Sequence, residues 1–237
     1  MNKQSNSYTI IYSIILVIVV GVSLSLVYQI LKPIQDENIA NDKKRQILAA
    51  VLISPKENEN VAELYDKYII DSYITNTKGD KVNNDISPFD INVANEIKKP
   101  ETERNLPVFV CKTENNETKY IIPVYGAGLW GPIWGYVAFN STGKSIYGAY
   151  FAHQSETPGL GAEIETSDFQ RQFIGKEFYD DNQFQPIKVV KIGQEPSDKP
   201  YVHAISGGTI TSQGVEKMLE NSLLPYDNFL KNLKTEK

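Results

Sequence analysis

Apolar and polar positions follow three different patterns along the 237 residues of the chain. Residues 8–31 show no alternation at all: they include no Asp, Glu, Lys, Arg or His and are dominated by Ile, Val and Leu. The run exceeds the ~20 residues needed to cross a hydrocarbon core, and Tyr8, Tyr12 and Tyr28 stand near its ends, where aromatic rings favour the interface. A membrane span is predicted. A cleaved signal peptide is the competing reading, because Lys3 precedes the run, but no small-x-small site follows Val22 and the run is long.

Beyond the span the spacing becomes helical. Residues 35–52 place Ile39, Ile47, Leu48, Val51 and Leu52 on one stripe, and Val61, Leu64, Tyr65, Tyr68 and Ile69 continue the three- and four-residue spacing. Asn76-Thr77-Lys78-Gly79-Asp80 predicts a turn, and the polar, irregular residues 81–105 a surface excursion. From Leu106 the period is that of strands, at 108–112, 119–124, 134–139 and 145–151, with Asn115-Asn116 and Ser141-Thr142-Gly143-Lys144 as turns. This predicts an antiparallel meander. A helix around 167–173, a strand near 187–192 and a C-terminal helix, with Val215, Met218, Leu219 and Ser222 on one face, complete the pattern. The expected fold class is α+β: a tail over 1–7, a single transmembrane helix over 8–31, a connecting helix over 32–54 and one mixed domain over 55–237.

Composition narrows the chemistry. About 200 residues remain beyond the span, enough for one domain with a substantial core. A net charge of −5, with no basic block beyond Lys43-Lys44-Arg45, argues against a nucleic-acid partner. Cys111 is the single cysteine, so the chain can hold no intrachain disulfide, Cys-rich zinc site or iron–sulfur cluster of its own. Within a strand-like run it reads as a buried structural thiol. His153 and Glu156 lack an evident third metal ligand, and no HExxH or G-x-S-x-G pattern occurs.

Three segments stand out. Ser206-Gly207-Gly208-Thr209-Ile210-Thr211 puts hydroxyls and glycines at the apparent start of the last helix, where unpaired N–H groups and the helix dipole suit a phosphate. The plainer reading is a helix cap. His203 is a candidate base near these threonines, or simply a surface or capping residue. The run from Gly126 through Trp130 and Trp134 to Gly135 suggests a tight loop with an aromatic face open to a flat ring, or core tryptophans with glycines at bends. The run from His153 to Glu163 reads as a loop offering backbone amides and a hydroxyl to a ligand, or as a solvated connection.

Together with Leu31-Lys32-Pro33-Ile34-Gln35-Asp36, the motifs Gly128-Leu-Trp-Gly-Pro-Ile-Trp-Gly135, Glu156-Thr-Pro-Gly-Leu-Gly161 and Ser206-Gly-Gly-Thr-Ile-Thr211 resemble the C-subunit family of Na+-translocating NADH:quinone reductases. That family is part of a wider group of FMN-binding domains that includes the G subunit of the Rnf electron-transport complex. The resemblance covers nearly the whole chain. In the family the last threonine of an S-G-A-T-x-T run carries FMN through a phosphoester, a position that falls here on Thr211. Gly208 stands where the family usually has Ala, and His203 where it often has Asp. The resemblance implies that Ser206, Gly207 and Thr209 cradle the phosphate, that Glu156, Thr157, Leu160 and Gly161 border the flavin ring, and that Trp130 touches it.

Physical chemistry agrees with a covalent link. A helix terminus contributes roughly 0.3–1 kcal/mol to an anion, up to ~2 when partly buried, far short of what retains a flavin indefinitely. The implied function is electron relay by covalent FMN within a sodium-translocating complex, with the flavin supplying the redox chemistry. No G-x-G-x-x-G follows a strand, so NADH is expected to enter at another subunit. Implied partners are the other subunits, among them a membrane-embedded FMN-bearing one, and a flavin transferase using FAD. Charge counting would put residues beyond the span in the cytoplasm, whereas the family implies the periplasmic side of a bacterial inner membrane. The alternatives are an Rnf-type G subunit, a cofactor-free anchored subunit, or a freestanding flavoenzyme.

Overall fold

The computed structural model describes residues 6–83, 85–180 and 183–233, so residues 1–5 of the predicted tail lie outside it. The first helix, α1 (Asn6–Ala50), takes in Asn6 and Ser7 of the predicted tail and runs without a break through the predicted anchor and into the connecting segment, but ends at Ala50, short of the predicted residue 54. Pro33 lies inside it, missing the N–H that would reach the Gln29 carbonyl, yet the helix continues. Among the described residues it is the one helix long and apolar enough to cross a membrane. The chain divides into two compact units between Lys43 and Lys44. Ile47, Leu48 and Ala50, near the end of α1, are buried within the second.

In the second unit, α2 (Val61–Tyr68) is capped by Asn60, whose side chain accepts the Ala62 N–H at 2.9 Å. Ile69, which the helical spacing assigns to this helix, instead opens strand β1 (Ile69–Thr75). The predicted turn follows, with Asn76 Oδ1 accepting the Lys78 and Asp80 N–H groups, and leads into β2 (Lys81–Val82). The polar stretch that follows holds short helical turns, among them α3 (Val93–Glu96).

The predicted meander is β3 (Leu106–Lys112), β4 (Thr118–Ala127), β5 (Pro132–Asn140) and β6 (Ile146–His153). With β1 and β2 these make a six-stranded antiparallel sheet of order β2-β1-β3-β4-β5-β6. After β6 come α4 (Ser167–Arg171) and two short pairs, β7 (Tyr179–Asp180) with β8 (Gln183–Phe184) and β9 (Lys188–Val190) with β10 (Tyr201–His203). The C-terminal helices are α5 (Thr209–Leu223) and α6 (Asp227–Asn232).

The glycine- and tryptophan-rich run from 126 to 135, read either as a tight loop with an open aromatic face or as core tryptophans with glycines at bends, is mostly strand: Ala127 pairs with Pro132 and Tyr125 with Trp134 across β4 and β5. Only residues 128–131 turn, closed by the Gly128 N–H donating to the Gly131 carbonyl at 2.8 Å. Backbone pairing absorbs the other glycines, so what remains of the loop is a tight hairpin tip.

Successive strand residues face opposite sides of the sheet. Val108, Ile122, Val137 and Phe139 meet Val215, Met218, Leu219 and Leu223 of α5, while Phe109, Cys111, Ile121 and Tyr136 meet Ile47, Leu48, Val51 and Tyr68. Because both faces are covered, the strands read as near-continuous apolar runs. β1 is the exception, with exposed Ile70 and Asp71. Glu216 of α5 accepts from Lys188 Nζ at 2.8 Å and from the Val189 N–H at 2.7 Å. These bonds fix the helix, and so its N-terminus, against β9.

Candidate functional site

The N-terminus of α5 is left without a side-chain cap. Gly208, which has no side chain to cap with, is the N-cap residue, and among the described residues no side chain accepts from the first turn. The N–H groups of Thr209, Ile210 and Thr211 therefore stand at an open positive end. Ser212 Oγ accepts the Ile205 N–H at 3.0 Å and donates to the Gly208 carbonyl at 2.8 Å, which locks the turn leading into the helix. Gly207 sits in that turn at φ 74°, a backbone state that favours glycine.

Thr211 is not a cap. Only 2% exposed, it donates its hydroxyl to Glu156 Oε2 at 2.6 Å, and Glu156 is itself 5% exposed. The other carboxylate oxygen, Oε1, accepts the Trp130 N–H at 2.8 Å. Ser155 Oγ donates to the Trp130 carbonyl at 3.0 Å, so two bonds tie the 128–131 hairpin tip to the loop after β6. His153 Nδ1 accepts the Glu156 N–H at 3.2 Å and holds the backbone from which the carboxylate extends. A Cβ on Gly161 would overlap Glu156 Oε2 and Thr211 Oγ1, and one on Gly128 would overlap Glu156 Oε1. Those two glycines give the carboxylate–hydroxyl pair its room.

Around the pair lies a cavity of about 260 Å³. Its walls hold Trp130, Glu156, Thr157, Leu160, Gly161, Gly207, Thr209 and Thr211, eight of the nine residues singled out from the sequence. Ser206 is exposed and is not among the lining residues. Leu129, Trp130, Leu160 and Ile210 line the cavity yet are exposed, Trp130 by 66%, so they form an apolar rim.

Residues 128–224, which hold the hairpin tip, the Glu156 loop and α5, match the FMN-binding domain family. The C subunit of the Na(+)-translocating NADH-quinone reductase of Vibrio anguillarum is 32% identical over 91% of this chain and 89% of its own. Its counterpart in Haemophilus ducreyi is 31% identical over 95% and 94%. The chain belongs to the C-subunit family of Na+-translocating NADH-quinone reductases. The crystal structure of the family member from Parabacteroides distasonis superposes with a TM-score of 0.78 at 42% identity, over 84% of this chain and 96% of that one. The Shewanella oneidensis protein, at 24% identity and a TM-score of 0.70, shares the fold.

Within this C-subunit fold several residues take partners that the sequence pattern does not reveal. The His203 ring faces another carboxylate: its Nδ1 lies 3.7 Å from Glu195 Oε1, while its backbone N–H donates to Gln172 Oε1 at 2.7 Å. Glu156, expected at the edge of a ring, is the group that meets Thr211. Trp134 donates its indole N–H to Gln46 Oε1 at 3.1 Å and is not part of the cavity wall. Ser212 and His153 hold the site through backbone bonds that arise only once the loops are folded, so no local signal marks them for this role. Burial pushes the Cys111 thiol up to about 11, as expected of a structural cysteine.

Proposed function

We propose that this chain is the covalent-FMN electron-relay subunit of a membrane-bound, sodium-translocating NADH:quinone oxidoreductase, with FMN joined to Thr211 by a phosphoester. The observation that carries the reading is the convergence of three sequence-distant motifs on the buried Glu156–Thr211 hydrogen bond, beside an uncapped helix N-terminus. That site suits the group: unpaired N–H groups for the phosphate, glycines where a side chain would fill the space, and an apolar rim for the ring.

Ser206, Gly207 and Thr209 surround the phosphate in this reading, while Thr157, Leu160, Gly161 and Trp130 border the ring. FMN supplies one-electron redox chemistry when bound, and the protein positions it and controls its access to solvent. The cavity is smaller than the ~300–1,000 Å³ of sites that enclose a ligand. A flavin seated there keeps an exposed edge, which suits exchange of electrons with another subunit. We assign that exchange to a membrane-embedded, FMN-bearing subunit, and maturation to a flavin transferase that uses FAD. NADH binds elsewhere in the complex. α1 anchors the chain in the bacterial inner membrane, with the flavin domain on the periplasmic side.

Thr211→Ala tests the reading. The full chain, co-expressed with a flavin transferase, is expected to show flavin fluorescence in a denaturing gel and FMN mass on the peptide containing Thr209 and Thr211, and the variant to show neither. Covalent flavin on Thr211→Ala would move the acceptor to another residue. A colourless wild-type chain under the same conditions would favour the cofactor-free reading.

A further inference from the structure

We propose that Glu156 is the acceptor-side catalytic base for attachment of the flavin. This rests on the reading of Thr211 as the acceptor. A new bond forms between Thr211 Oγ1 and the FMN phosphorus of a flavin dinucleotide supplied by the transferase. The phosphoanhydride bond to the adenylate breaks, AMP leaves with that bond's electron pair, and the hydroxyl proton passes to Glu156 Oε2. Nothing is oxidised or reduced.

A hydroxyl is a weak nucleophile until a base takes its proton, and that base must lie within hydrogen-bond reach. Glu156 Oε2 is 2.6 Å from the reacting oxygen. The carboxylate is aimed from three sides: Trp130 N–H holds Oε1, His153 Nδ1 holds the Glu156 backbone, and Gly161 leaves room for Oε2 against Thr211. Among the described residues no cation pairs with it, so its charge is not committed to an ion pair. His203, the other candidate base, faces Glu195 instead.

The same geometry explains how one of two threonines is chosen. Thr209 lines the same cavity, but the carboxylate meets the hydroxyl of Thr211. Proton transfer also removes a conflict in the product. A carboxylate left ionised against the new phosphodiester would place two anions side by side in a buried site, and the transferred proton neutralises one of them.

The test uses the full-length chain in detergent with purified flavin transferase and FAD, following FMN incorporation by gel fluorescence and peptide mass. Glu156→Gln keeps the side-chain volume and an acceptor for Trp130 N–H but cannot take the proton. It is expected to lower kcat for the acceptor chain at least about 100-fold, with KM and melting temperature close to wild type. Glu156→Asp, which retains a carboxylate set back by one methylene, is expected to recover part of the rate. Incorporation by Glu156→Gln within twofold of wild type, a loss confined to KM, or an Asp variant no faster than Gln would overturn the proposal. If the wild-type chain carries no FMN at Thr211, the acceptor reading fails instead, before Glu156 is tested.

Discussion

Two charged side chains are buried among the described residues of this fold, and they are treated in opposite ways. Lys119 of β4 is 5% exposed, as is Glu156. Lys119 donates to Asn140 Oδ1 across the strand pair at 2.7 Å, lies 2.8 Å from Glu117 Oε2, and sits 4.1 Å above the Tyr147 ring. Its charge is matched by a carboxylate, an amide and an aromatic face, and its position is in a strand ladder. Glu156 has two donors and no cation among the described residues, one of its donors is a side-chain hydroxyl, and it opens on a cavity. Burial by itself therefore says little. A buried charge that is fully compensated in a regular element supports the fold, whereas one aimed at a nucleophile on a cavity wall is available for chemistry.

The sharpest way to break this contrast is to crowd the Glu156 site. Gly161→Ala places a methyl group between the carboxylate and Thr211. We expect about 1–3 kcal/mol of destabilisation by thermal melting, together with loss of covalent flavin by gel fluorescence. A variant that melts and flavinylates like wild type would show that Glu156 and Thr211 do not need the space that Gly161 leaves.

Lys119→Met should give the reverse pattern. It removes the hydrogen bond, the ion pair and the cation–π contact, at a cost of about 1–2 kcal/mol because Glu117 is largely exposed and returns to water. The rate of FMN incorporation should stay within twofold of wild type. Against it, Glu156→Gln should cost about 1 kcal/mol or less in chemical denaturation, since its amide oxygen still accepts. The contrast fails if the two variants rank the same way in both measurements.

The smallest effect concerns Cys111, which packs on the face opposite α5. Burial penalises the thiolate, so the folded thiol titrates near 11 rather than 9.0. The unfolded chain releases its proton first as pH rises. This contribution to stability is complete below about pH 9 and is lost progressively toward pH 11. The thiol should resist a disulfide reagent at pH 8 until denaturant unfolds the chain, and rapid labelling of native protein would contradict its burial.

Much of this was legible from local pattern. The uncharged run, the short apolar strand-like runs and the Asn- and Gly-bearing turns between them mark the anchor and the meander, because those elements are decided by neighbouring residues. β1 was not legible, since as a half-exposed strand near the sheet's end it carries Asp71 and Ser72 where the strands of the meander are near-continuously apolar. The three motifs were legible as unusual composition, and eight of their nine predicted residues do share one cavity. Ser206 lies outside that wall because the turn before α5 leaves it exposed.

Local pattern is enough to give a long apolar segment ahead of an α+β domain and to mark the unusual glycine- and hydroxyl-rich segments, because hydropathy period and turn chemistry act over a few residues. That Glu156, and not His203, meets Thr211 follows from long-range packing. The two partners are 55 residues apart in the chain. Their meeting depends on β6 ending beside the β4–β5 hairpin tip while α5 is held against β9, and no local pattern encodes that juxtaposition. Only packing of the sheet against the helix brings a carboxylate and a hydroxyl to 2.6 Å, with glycines where any side chain would part them.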